Sequence, residues 1–170
     1  MWLGANNDKA VRRAARLGDA WLINPHGSLP SLARQVHDVY LPALAAFGKN
    51  QPAELPIRRE LWVSETREAA LREAAPWLKS KYDVYTTWNQ HSALAADDRW
   101  DPDFEELSRD RFIIGSKDDC LEQIDQYRRH LGVTNMIICV QWAGMPHATA
   151  MRNLERVGEQ LIRSAPVDAP

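Results

Sequence analysis

Apolar positions along the chain alternate between two spacings. Met1-Trp2-Leu3 is a short apolar run, Gly4-Ala5 turns, and Asn6, Asn7 or Asp8 then offers an N-cap. The helix that follows has apolar positions at Ala10/Val11, Ala14/Ala15 and Leu17. Gly18 closes it, and Asp19-Ala20-Trp21-Leu22-Ile23 starts a second strand. Beyond the loop Asn24-Pro25-His26-Gly27, Ser28 caps a longer helix running through Leu32, Val36, Val39/Tyr40, Ala43/Leu44 and Phe47. Pro42 is expected to kink that helix and Gly48 to end it. Residues 57–64 mix alternation with β-branched and aromatic side chains and read as a third strand.

From Thr66 the spacing is helical again, with Ala69/Ala70, Ala74 and Leu78 on one face until Pro76 interrupts it. Periodicity fades between Asp83 and Arg111, which is expected to form an inserted loop or lid. It returns at Phe112-Ile113-Ile114-Gly115. Ser116 with Asp119 resembles a capping box, Cys120, Ile124, Tyr127 and Leu131 trace a helical face, and Gly132 terminates it. Residues 133–140 are almost continuously apolar, as expected of a parallel strand buried on both faces. A last helix carries Ala150/Met151, Leu154, Val157 and Leu161/Ile162, and the tail is expected to fray. The pattern specifies parallel βα units, either an open doubly wound sheet or part of a (β/α)8 barrel. It divides into one α/β domain over 1–165, irregular near 83–111, followed by a tail at 166–170. About four strands are present, whereas a complete barrel needs eight and typically about 250 residues.

Composition narrows this picture. A chain of 170 residues, 45% of them hydrophobic, can bury one real core. A net charge of −2 gives no basic footprint for nucleic acid and no polybasic address for a membrane. The pairs Arg12-Arg13, Arg58-Arg59 and Arg128-Arg129 read as solvated faces or strand ends. Cys120 and Cys139 both fall in patterns that read as buried, so packing thiols are expected rather than a disulfide or metal pair. With no signal peptide and no bilayer-length apolar run, the expected location is the cytoplasm. Trp62, Trp77, Trp88, Trp100 and Trp142 include several beside loops, where an amphipathic ring suits a ligand cavity or an interface.

In a βαβ unit, the turn after the first strand points backbone amides at whatever lies beyond the strand's carboxyl end. Taken alone, residues 4–8 read as an ordinary capped crossover. His26, His91 and His147 fall in loops where a general base is possible, although a solvent-facing or structural role is the more common one. Asn24, Ser64 and Gln141 follow strand ends and are candidates for pocket wall.

Three segments together resemble the luciferase-like monooxygenases, the flavin- and deazaflavin-dependent relatives of bacterial luciferase. Trp2-Leu3-Gly4-Ala5 stands where that family has a strand like "WIGG", and Ala14-Ala15-Arg16-Leu17-Gly18-Asp19-Ala20-Trp21 matches its "AARLGDGW" passage. Phe112 to Cys120, with Lys117 in place of the usual proline, and Leu131 to Ile138 follow in family order. The resemblance implies the C-terminal part of a TIM barrel and covers only the second half of such an enzyme, so a fragment, inactive alone, is expected. It implies reduced FMN and molecular oxygen acting on a small organic substrate, with a deazaflavin cofactor and hydride transfer as the alternative. A non-catalytic, self-associating half-barrel is the other alternative. A separate flavin reductase and a homo-oligomer are possible partners. The family's flavin-phosphate turn carries over to Gly4, Ala5, Asn6, Asn7 and Ala10, with no catalytic residue assigned and no metal. Because Ala5 replaces the family's second glycine, the backbone is expected to approach the phosphate less closely.

Overall fold

The computed structural model of the protein describes residues 1–95, 98–100 and 103–163. The expected tail at 166–170 lies outside the described residues. Strand β1 (Trp2–Ala5) pairs residue by residue with β2 (Ala20–Ile23). β2 meets β3 (Pro56–Val63) at Ile23 and Ile57. β4 (Ile113–Gly115) lies along Leu61 to Val63, and β5 (Asn135–Cys139) along Pro56 to Glu60. Each of these pairings is parallel, as the alternation of strands and helices requires. Because Ile57 is paired with both Ile23 and Met136, β2 and β5 lie on opposite edges of β3. The short turn assigned to Gly4-Ala5 is strand, so the chain turns at Asn6-Asn7 instead.

Helix α1 (Asp8–Leu17) starts where Asn7 Oδ1 accepts the Ala10 amide at 3.0 Å. Its buried residues are Val11, Ala14 and Ala15. Leu17 is exposed, because six residues on from Val11 places it about 120° round the helix. The helix after Ser28 is continuous but changes pitch: α2 (Leu29–Arg34), a π-helical segment (Gln35–Tyr40) and α3 (Leu41–Ala46). Pro42, the second residue of α3, cannot donate to the carbonyl of Asp38, and the widened ladder falls immediately ahead of it.

Pro76 does not end its helix. α4 (Arg67–Thr87) runs through it from the Thr66 cap, because Pro76 is on the exposed side while Ala74, Leu78 and Tyr82 keep the opposite side packed. The stretch expected to be irregular therefore begins as helix, then holds a 3-10 turn (Gln90–Ala93) and α5 (Phe104–Ser108). α6 (Lys117–Leu131) has both bonds of the capping box, and Gly132 ends it in the left-handed region at φ 70°. α7 (His147–Val157) passes into a second π segment (Gly158–Ile162). Its buried line is Ala150, Asn153, Val157 and Leu161, with Met151 and Leu154 exposed. Asn153 is buried because its Nδ2 donates to the Leu61 carbonyl at 3.1 Å and its Oδ1 accepts the Val63 amide at 3.4 Å, continuing the ladder of β3 beyond β5.

The alternation of β3 sorts the helices onto two faces. Ile57, Leu61 and Val63 join a core with Val11, Ile23, Val36, Tyr127 and Val157, from α1, the 29–46 helix, α6 and α7. Trp62 and Ile114 point the other way, into a second core with Ala70, Ala74, Leu78 and Tyr82 of α4. β3 is consequently buried on both faces. β5 is not: every residue is at least partly open, and Ile137 is 40% exposed. The expected two-sided burial fails because β5 has no strand on its outer edge among the described residues and α4 covers the sheet nearer β3 and β4.

Candidate functional site

The loop from Asn24 to Ser28 follows the carboxyl end of β2 and is held by two buried arginines. Arg59, with none of its surface exposed, donates to the carbonyls of Asn24 at 3.3 Å, Pro25 at 2.7 Å and Gly27 at 3.0 Å. Its guanidinium also lies over the Tyr127 ring, 4.7 Å from the centroid. Arg111 donates to the His26 carbonyl at 2.9 Å and forms a buried ion pair with Asp98, also at 2.9 Å. Asp98 in turn accepts the Ser28 amide at 2.7 Å. These bonds occupy the carbonyls that would otherwise need water and hold His26 against α4.

There His26 Nδ1 lies 3.2 Å from the Tyr82 hydroxyl, and its ring meets Tyr85 edge-on at 5.3 Å and Trp100 at 6.1 Å. Burial, reinforced by the charges of Lys81, Arg58 and Arg59, pushes the imidazole pKa down to about 4, so it is neutral at pH 7. Burial also raises the Tyr82 phenol, which keeps its proton. The arrangement provides a neutral hydrogen-bonding imidazole in a wall of aromatic rings.

Beside it, on the same face of the sheet as Trp62, Glu60 projects fully buried from β3. Its carboxylate accepts from the Lys81 ammonium and from the Trp142 indole N–H. Burial pushes this carboxyl up, but the contacts to Lys81, Trp142 and Arg58 outweigh it and hold the pKa below the ordinary glutamate value. Arg58, Lys81, Tyr85, Trp88, Cys139 and Trp142 line a cavity of about 330 Å³ next to this group.

At the same carboxyl end of the sheet, beyond edge strand β1, the β1–α1 turn has its polar groups largely engaged. Ala5 O accepts the Trp21 indole at 3.1 Å, Asn6 O accepts Gln35 at 2.9 Å, and Asn7 Oδ1 caps Ala10. Asp8 is held by Arg34 through bonds of 2.9 and 3.1 Å and by Gln35 at 3.0 Å, and the Arg34 bond chiefly keeps its carboxyl ionised below the usual range. The amides of Asp8 and Lys9 have no acceptor among the described residues. A Cβ on Gly4 would meet nothing within 4 Å, so space is open beside the strand end. An anion can be bound here by those two amides and the Asn6 and Asn7 side chains. The Asp8 carboxylate opposes it, and Arg34 offsets that charge.

A family model described as luciferase-like monooxygenase matches residues 1–135. The chain belongs to that family. The fold is shared with monooxygenase RslO1 from Streptomyces bottropensis at 17% identity and a TM-score of 0.71, covering 95% of this chain and 47% of that one. It is shared with the oxygenating constituent of 3,6-diketocamphane monooxygenase from Pseudomonas putida, a type II Baeyer-Villiger monooxygenase in complex with FMN (15% identity, TM-score 0.63, 96% and 47% covered). A third is the coenzyme F420-dependent tetrahydromethanopterin reductase from Methanopyrus kandleri (15% identity, TM-score 0.62, 95% and 50% covered). The chain spans about half the length of these proteins. No curated protein matches the sequence significantly. Its parallel βα units are those of the TIM-barrel luciferase-like proteins, over half their extent.

In this member of the luciferase-like monooxygenase family, Gly4, Ala5, Asn6, Asn7 and Ala10 do come together at one turn, with Ala5 buried and Asn7 exposed. Lys9, Arg12 and Arg13 face solvent. Asn24 is buried, its Oδ1 accepting the His26 amide at 2.9 Å. Ser64 is buried and donates to Glu73 at 3.1 Å, while Gln141 lines the 330 Å³ cavity. Of the three histidines, His26 enters the aromatic cluster, while His91 is exposed with its ring 6.0 Å from Trp100 and His147 is exposed at the start of α7. Two expectations are corrected. Arg58-Arg59 is not a solvated pair, since both faces of β3 are covered and Arg59 has no exposure. Cys139 is only partly buried and sits at a cavity, because β5 is open on that side. Sequence reading missed Glu60 and Lys81 altogether. The available signal was the charged run Arg58-Arg59-Glu60 inside a strand with apolar neighbours on both sides.

Proposed function

We propose that the protein is part of a flavin-dependent oxidoreductase of the monooxygenase type, using reduced FMN and molecular oxygen on an organic substrate. The family match over residues 1–135 carries this assignment, and it takes in the β1–α1 turn, His26, Glu60 and Lys81. When bound, the flavin supplies the redox chemistry. The chain's own part is to donate to the flavin phosphate from the amides of Asp8 and Lys9 and the side chains of Asn6 and Asn7, with Gly4 leaving room for approach. In the loop after β2, the neutral His26 and the aromatic rings around it exclude water and offer one hydrogen-bonding nitrogen to a substrate.

A deazaflavin is the second reading, favoured by the F420-dependent reductase that shares the fold. Titrating FMN, riboflavin and F420 against the protein by calorimetry tests both. FMN is expected to bind weakly but at least tenfold tighter than riboflavin, with Asn7→Ala lowering that ratio and Asp8→Asn raising it. Tighter F420 binding would move the assignment to the deazaflavin. Equal affinity for FMN and riboflavin would remove the phosphate role from the turn, and no binding of any of the three would end the cofactor assignment.

A further inference from the structure

The cavity between β3, α4 and the loop after β5 carries more positive than negative charge. Arg58 and Lys81 face a single carboxylate there, Glu60, whose two oxygens are taken by Lys81 and the Trp142 indole. Arg58 stands 3.7 Å from Glu60 Oε1, too far for a hydrogen bond, and no other carboxylate pairs with it among the described residues. Neighbouring titratable groups do not restore the balance: His26 is neutral, Tyr82 keeps its proton, and Arg59 on the opposite face adds further positive charge. Beyond a contact with the Cys139 thiol, the planar fork of Arg58 is therefore unspent.

The walls of the same cavity are aromatic. Tyr85 and Trp88 have ring centroids 6.0 Å apart, and Trp142 is a third aromatic in the lining. Trp88 leaves 65% of its surface in water, a large apolar area beyond its contact with Tyr85. A volume of about 330 Å³ accommodates a one- or two-ring compound.

We propose that this cavity binds a planar aromatic carboxylate, its carboxylate on the Arg58 guanidinium and its ring on Trp88 and Tyr85. The assignment of that compound as substrate rests on the oxidoreductase reading, whereas its binding does not. A bidentate guanidinium–carboxylate contact fixes the orientation of the acid, and the indole supplies area without selecting among ring systems.

The test titrates 2-naphthoate and its neutral analogue 2-naphthamide against the whole chain by calorimetry without cofactor, and follows iodoacetamide labelling of Cys139 by mass spectrometry. The acid is expected to bind at least tenfold tighter than the amide and to slow labelling of Cys139. Arg58→Gln is expected to abolish the preference while changing amide binding less than twofold, and Trp88→Ala to weaken both ligands at least fivefold. Equal affinities, or a preference that survives Arg58→Gln, overturn the proposal. Displacement of naphthoate by equimolar FMN would give the cavity to the cofactor ring and overturn it as well. Should Arg58→Gln fail to fold by circular dichroism, Trp88→Ala decides, since an unchanged naphthoate affinity refutes the site. Naphthoate binding in a protein that binds neither FMN nor F420 would separate failure of the cofactor reading from failure of this one.

Discussion

Glu60 places a full negative charge on a strand covered on both faces, and removing that charge alone leaves the largely covered Lys81 ammonium with no equal partner. Breaking one half of a buried pair typically costs about 3–5 kcal/mol, whereas replacing both halves by apolar groups is often neutral. Glu60→Gln is therefore expected to lower stability by about 3 kcal/mol in urea unfolding, and Glu60→Leu with Lys81→Met to recover most of it. A double variant no more stable than the single one would show that the site depends on Glu60 for packing rather than charge. His26 is held neutral where Glu60 is held charged. Its folded pKa of about 4 lies below the ordinary 6.5, so between those values the unfolded chain binds the extra proton and stability falls as pH falls. At pH 5 that loss is about 2 kcal/mol relative to pH 8. His26→Gln should remove that much of the difference between urea midpoints measured at the two pH values, and an unchanged difference would place the imidazole in water.

At the scale of elements, what could be read from the sequence is what depends on neighbours in sequence. The capping box of α6 is legible because Ser116 and Asp119 lie within one turn, and the structure has both of its bonds, at 2.9 and 3.3 Å to the backbone amides. A Cβ on Gly115 would collide with the Asp119 side chain. Gly115→Ala is accordingly expected to displace the cap and cost about 1–2 kcal/mol, with Asp119→Ala adding little on top, read from thermal unfolding of the two single variants and the double. Full additivity would show that the glycine is needed for something other than the cap. The β1–α1 turn was legible for the same reason as far as three candidate caps, of which the structure uses Asn7. Its chemistry was less so, because the Arg34 and Gln35 that hold Asp8 come from a helix more than 25 residues away. The Glu60 and His26 clusters were hidden because α4 packs on the face of the sheet opposite α1, the 29–46 helix and α6. Nothing in the spacing of Arg58-Arg59-Glu60 shows that a later helix will bring Lys81 over it. Pro76 misled for a related reason: a proline marks a helix end where the carbonyl four residues before it is left bare and buried, and here both Arg72 and Pro76 lie on the solvent side.

For the molecule as a whole, β3 is the hub on which the remaining strands depend. It pairs with β2, β4 and β5, is closed on both faces, and has its upper ladder continued by Asn153. The outer strands are different in kind. β1 exposes Trp2 and β5 exposes Ile137, each with a single strand neighbour among the described residues. Opening free energies across a domain range from near zero at such edges to the global value in a central strand. Native-state hydrogen exchange is thus expected to rank the amides of Leu61 and Val63 as the slowest in the sheet and those of β1 and β5 as faster by at least tenfold. Asn153→Ala should accelerate exchange at Val63, whose amide loses its 3.4 Å acceptor, while leaving β1 unchanged. Uniform protection across β1, β3 and β5 would mean that the outer strands open only with the whole domain. The two clusters would then share one cooperative unit, and ligand binding at the Arg58 cavity would slow exchange at the β1–α1 turn as much as at β5.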